Sequence, residues 1–66
     1  MSQVQTVSSQ PVLLTIAQVA ETLGLSRSKV YQLIYYEGLP TVRFGRAVRV
    51  RYVALLHWLE RREEVE

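Results

Sequence analysis

The sequence predicts a mainly α domain with a small β-hairpin, built as a helix-turn-helix, a two-stranded wing and a closing helix. Three observations carry this expectation. Ile16, Val19, Ala20 and Leu23, and then Val30, Leu33 and Ile34, recur at helical spacing on either side of Gly24. Between residues 41 and 51 the period changes to alternation, with arginines interleaved among Val42, Phe44, Val48 and Val50. Helical spacing then returns with Leu55, Trp58 and Leu59.

Taken in order, residues 1–12 carry no charged side chain and are expected to form a mobile tail ahead of a domain at 13–62. Thr15 can cap the first helix, and Gln18 three residues on completes a capping box. Ala20 is small where the second helix must come close. Gly24 can take the positive φ that ends the first helix, and Leu25 is expected to plug the corner. Ser26 caps the second helix, which presents Val30, Leu33 and Ile34 inward. Gly38 ends it, and Leu39-Pro40 is expected to turn the chain outward.

In the hairpin, opposed residues share a face. Matching apolar to apolar predicts Val42 opposite Val50, Arg43 opposite Arg49 and Phe44 opposite Val48, with a three-residue loop Gly45-Arg46-Ala47. A two-residue Gly45-Arg46 turn would instead set Val42 against Arg49, unless a bulge corrected it. The last helix is expected from about Tyr52 to about Arg62, with His57 on its outer side and Trp58 as a core anchor. Residues 63–66 are expected to be an acidic, fraying tail.

Composition narrows the function. The chain has 66 residues, room for one domain and a small core. Without cysteine there is no disulfide and no thiolate metal site, which suits a reducing cytoplasm. No apolar run reaches the length of a membrane span, and the uncharged N-terminus does not resemble a secretory signal. With one histidine and no aspartate there is no catalytic triad, no acid–base pair and no metal constellation. No catalytic residue, cofactor, metal or small-molecule ligand is therefore expected. The formal charge of +2 hides an asymmetry. Residues 12–59 carry six Lys/Arg against two Glu, a net +4, whereas residues 60–66 carry two Arg against four Glu, a net −2. A basic centre suits a polyanion partner.

A helix-turn-helix presents its second helix to a DNA major groove. With Val30, Leu33 and Ile34 inward, Arg27, Ser28, Lys29, Tyr31, Gln32 and Tyr35 lie on the outer side. Arg and Lys can reach guanine edges or phosphates, and Gln can pair with adenine. Ser26 and the helix N-terminus can hold a phosphate. The ring of Tyr31 has a second option, packing on the wing. In the wing, Arg46 at the tip and Arg43 and Arg49 on one face are candidate DNA contacts; the alternative is that arginines blunt an exposed edge strand. Arg51 can equally salt-bridge Glu37 or the C-terminal glutamates.

The stretches Leu14-Thr15-Ile16 to Leu25-Ser26-Arg27-Ser28, Val30-Tyr31, Gly38-Leu39-Pro40, Val42-Arg43-Phe44-Gly45-Arg46, Val50-Arg51 and Trp58-Leu59 together resemble the excisionase-type DNA-binding domains of the MerR-like superfamily. The resemblance covers about three quarters of the chain, its motifs in order. It implies a winged helix-turn-helix with one helix in the major groove and the wing against the minor groove or backbone. It also implies a bacterial or mobile-element protein acting as a recombination directionality factor or a small transcription regulator. The domain looks alike in both roles. Several copies would load side by side on tandem sites, with an integrase or other recombinase as a further partner. Tyr52, Val53, Ala54 and Leu56 depart from the family by being apolar where relatives place polar residues. Val53 and Leu56 are accordingly candidates for a protein contact, either between copies or with an integrase. A protein–protein module of the same fold is the competing class.

Overall fold

Thr15 sets the start of the fold. In a computed structural model, which describes residues 11–63, its Oγ1 accepts from the Gln18 N–H at 3.1 Å while Gln18 Oε1 accepts from the Thr15 N–H at 2.9 Å. This reciprocal capping box satisfies two donors that the first helical turn would otherwise strand. It opens α1 (Ile16–Leu23) directly after a short strand, β1 (Leu13–Leu14). Gly24 closes α1 at φ 70° and ψ 33°, and the Leu25 N–H returns to the Ala20 carbonyl at 2.9 Å. This Schellman-type closure requires the left-handed conformation that glycine adopts without penalty. Ser26 Oγ then accepts from the Lys29 N–H at 3.1 Å and opens α2 (Arg27–Tyr36). The wing follows as β2 (Val42–Phe44) and β3 (Ala47–Arg51), and α3 (Tyr52–Arg62) closes the chain.

The sheet has three antiparallel strands in the order β1-β3-β2, so β3 is central. Leu14 opposes Val50 and Leu13 opposes Arg51. The core comprises Leu14, Ile16, Val19, Ala20, Val30, Leu33, Leu39, Val50, Leu55 and Trp58. Leu23, Ile34, Val48, Tyr52 and Leu59 pack against it from the half-buried rim. The result is a winged helix-turn-helix whose wing carries an added strand, one that two leucines alone could not announce in the sequence.

Three further expectations are corrected. Val42 opposes Arg49, Arg43 opposes Val48 and Phe44 opposes Ala47, so the loop is the two-residue Gly45-Arg46 turn. Gly45 has φ 62° and no non-glycine residue among those described has positive φ, the pattern of a type II′ turn, whose twist matches paired strands. Arg43 and Arg49 therefore lie on opposite faces, and no like-charge pair needs relief. The expected parity assumed that β2 contributes to the core. In fact β2 is a three-residue edge strand, with Arg43 and Phe44 exposed.

Leu25 does not plug the corner: it is 39% exposed, whereas Val19 and Ala20 of α1 and Val30 of α2 are buried. Leu39 does not turn outward. Gly38, at φ 78°, swings the chain so that the Leu39 N–H donates to the Leu33 carbonyl at 3.1 Å and its side chain enters the core. The expected tails fall outside the described residues except for Pro11, Val12 and Glu63.

Leu55 and Val53 sit two residues apart on α3 with opposite burial. Leu55→Ala is expected to destabilise the domain by about 2–5 kcal/mol. Val53→Ala is expected to stay within about 0.5 kcal/mol. Urea unfolding of the two variants measures both.

Candidate nucleic-acid interface

The direction in which α2 faces is set by what holds its inner side. Val30 and Leu33 are buried, Ile34 is half-buried, and Arg27, Ser28, Lys29, Tyr31, Gln32 and Tyr35 are all exposed together with the capping Ser26. The C-terminal end of the helix is fixed to α3. Trp58 Nε1 donates to the Glu37 carbonyl at 3.1 Å, and Arg62 Nη1 pairs with Glu37 Oε1 at 3.0 Å. The Arg62 guanidinium also lies 4.6 Å from the Trp58 ring centroid, a cation–π contact. The Arg62–Glu37 pair is half-exposed on both sides, so its own contribution is small, at most about 1 kcal/mol. Arg62, not Arg51, partners Glu37.

On the outer side, Tyr31 and Tyr35 stack at one-turn spacing, with centroids 6.2 Å apart and rings inclined by 16°. Tyr31 also lines an open cleft between the helix-turn-helix and the wing. Arg27 and Tyr31 supply the α2 wall, and Arg46, Ala47, Val48 and Arg49 supply the wing wall. Thr15, Ile16 and Ala17, at the start of α1, close the third side. The ring of Tyr31 thus stacks on its helical neighbour Tyr35 and borders the wing cleft.

The wing arginines are divided differently from the sequence expectation. Arg46 is exposed at the turn, and Arg49 is half-buried with Nη1 donating to the Val48 carbonyl at 2.9 Å. Arg43 is exposed on the other face of the strand pair. Among the described residues, none of Arg27, Lys29, Arg43, Arg46, Arg49 and Arg51 forms an ion pair with a carboxylate. Their charge is not compensated locally, which leaves a positive surface spanning α2 and the wing.

Two features escaped the sequence reading. Thr15, Ile16 and Ala17 border the cleft, although Thr15 was legible only as a helix cap. The backbone N–H groups of Ile16 and Ala17 belong to the first turn, which has no helical acceptors to offer them. Phe44, expected inside, is 57% exposed. Val53 and Leu56 are 51% and 40% exposed on α3, clear of the Leu55 and Trp58 stripe. Among the described residues no helix is long and apolar enough to cross a membrane, and no group of three or more His, Cys, Asp or Glu could hold a metal ion.

A family model described as a helix-turn-helix domain matches residues 13–63, which contain every element above. The chain belongs to this helix-turn-helix family. Two curated relatives from Mycobacterium tuberculosis, Rv0500A of strain H37Rv and MT0521 of strain CDC 1551, carry provisional names as DNA-binding proteins. Each is 44% identical over 48 residues, which are 73% of this chain and 62% of the relative. The chain thus spans less than two thirds of the relatives it matches. No solved structure matches it.

Ser26→Ala removes the Lys29 N–H acceptor at the start of the helix-turn-helix family's second helix. The expected loss is about 1 kcal/mol of stability, read as a lower urea midpoint with an unchanged denaturant slope.

Proposed function

We propose that this chain is a sequence-specific duplex-DNA-binding architectural protein, with α2 in the major groove and the wing on the neighbouring backbone or minor groove. One observation carries the reading: Arg27 and Tyr31 on α2 and Arg46 and Arg49 on the wing border one open cleft, on a surface whose arginines have no carboxylate partner among the described residues. A duplex offers such a surface a phosphate backbone flanked by two grooves. Ser26, Arg27, Ser28, Lys29, Tyr31, Gln32 and Tyr35 are the proposed helix contacts, and Arg43, Arg46 and Arg49 the proposed wing contacts. The family membership and the provisional names of the two mycobacterial relatives support the same partner.

Within DNA binding, we favour a recombination directionality factor of the excisionase type, loading in several copies on tandem sites beside an integrase. The resemblance of the motifs supports it, and so do the exposed apolar side chains of Val53 and Leu56 on α3. Contacts through such a surface would be head-to-tail and non-closing, extending along DNA instead of forming a closed dimer. A small transcription regulator uses the same domain, and an integrase gene beside this one would decide between the two roles. A pure protein-interaction module is the competing class, and it predicts no salt-dependent mobility shift on duplex DNA.

The contact groups separate by titration. Arg46→Ala is expected to weaken binding to all duplexes and to reduce the slope of log affinity against log salt by about one unit, as for a single phosphate contact. Gln32→Ala is expected instead to relax preference at one base pair by about 1–3 kcal/mol. Unchanged affinity after replacing Arg27, Lys29 and Arg46 together would end the DNA reading. For assembly, sedimentation should give a monomer without DNA, and two tandem sites should fill more steeply than one. Val53→Glu with Leu56→Glu should abolish that steepness and leave single-site affinity in place. A stable two-fold dimer in the absence of DNA, or independent filling of adjacent sites, would refute the assembly.

A further inference from the structure

Phe44 is exposed at the end of the hairpin, one residue before the turn. An aromatic side chain in that position has no packing reason to be there, because β2 is an edge strand and the core draws on β3 instead. Its surroundings are strongly cationic: the ten residues Val42–Arg51 include Arg43, Arg46, Arg49 and Arg51 and no carboxylate. The register fixes its face. Phe44 opposes Ala47 and so shares a side of the strand pair with Ala47 and Arg49. Both of those residues line the cleft that Arg27 and Tyr31 border from α2. Val48, on the opposite face, lines the same cleft, so the ring is carried on the wing face turned away from the buried Val50, beside Arg49.

Few partners want an apolar ring and four arginines together. A second copy of the same hairpin is disfavoured by repulsion between the two cationic tips. A duplex satisfies both demands, because phosphates flank a minor groove whose base steps can accept an apolar wedge. We propose that Phe44 is a DNA wedge: when the wing lies against the minor groove, the ring enters between two base pairs, unstacks them and kinks the duplex. The wedge rests on the DNA-binding reading and extends it, since it assigns bending to one side chain outside the recognition helix. Arg49, on the same face, and Arg46, at the adjoining turn, hold the flanking phosphates while the ring enters. The step best suited is a pyrimidine–purine step, which unstacks at least cost.

The test uses the full chain and a duplex selected by it from a random library, with 2-aminopurine placed at successive adenines. Binding of the wild-type protein should raise the fluorescence severalfold at one step in the wing's footprint. Energy transfer between dyes at the duplex ends should report a bend. Phe44→Ala should retain the salt-dependent mobility shift and lose both signals, whereas Phe44→Leu, which keeps an apolar wedge, should retain part of each. Because the ring is exposed, neither variant should lower the melting temperature, and circular dichroism checks this. No fluorescence rise at any adenine with wild-type protein bound, or an equal rise with Phe44→Ala, overturns the wedge and leaves DNA binding standing. If Phe44→Ala alters only the cooperativity between copies, the ring contacts protein and the wedge is likewise overturned. Failure of the wild-type protein to shift any duplex removes the DNA reading and the wedge with it.

Discussion

The geometry of the wing depends on one constraint, which is that β3 must bury Val50 while a two-residue turn joins it to β2. Val50 is fully buried, opposes Leu14 of β1 and lies in the same core as Leu55 and Val19. Burying an aliphatic side chain of this kind contributes about 1.5–3 kcal/mol, so the face of β3 is decided before β2 is added. The side-chain period of two then sends Arg49 and Arg51 to the other face. The Gly45-Arg46 turn carries the same parity across to β2, placing Val42 and Phe44 with the arginines. A one-residue change in the loop would reverse every assignment on β2.

The second helix is held in a comparably economical way. Its inner face meets α1 through Val30 and Leu33, and Ser26 fixes its start. Its far end is bound to α3 by one group of contacts, in which Trp58 reaches the Glu37 carbonyl and Arg62 spans both Glu37 and the Trp58 ring. Trp58 satisfies its only donor in this way while burying its large ring, which is the condition under which tryptophan suits a core. The outer face of α2 is thereby left to polar and aromatic residues that no packing demand explains. Charge uncompensated at a surface is tolerable in water and becomes useful only against a polyanion.

The stabilising residues and the candidate contact residues thus lie on different sides of the same short elements. The domain has little core to spare, since ten of the described residues form it and small domains bury a modest fraction of their surface. Substitutions at Leu55 or Val19 therefore act on folding, whereas Gln32 and Arg46 are exposed and lie outside the core. Phe44 is likewise exposed despite its residue type, because its exposure follows from the turn and not from a lack of apolar character.

What was legible in the sequence was local. The capping box at Thr15, the glycine ends at Gly24 and Gly38, the Ser26 cap and the inner stripes of the three helices are each specified by residues within one or two turns of each other. Their physical reasons, which are backbone donors needing acceptors and apolar periodicity, operate at short range. The exposure of the candidate contact residues on α2 followed from the same periodicity, as did the protruding Val53 and Leu56. Other features required the tertiary structure. The pairing of Leu13 and Leu14 with β3 joins residues far apart in sequence, and two residues carry no readable period. Leu25 and Leu39 are both leucines beside a helix end, yet one is exposed and the other buried, because only the positions of the neighbouring elements determine which corner has room. The hairpin register also lay beyond the local pattern, since apolar alternation in β2 mimics a core strand when nothing covers that strand. The sequence by itself determined the helices, their caps and the charge they present; only the assembled sheet decided which side of the wing its arginines and its phenylalanine occupy, because a face is defined by what packs against it.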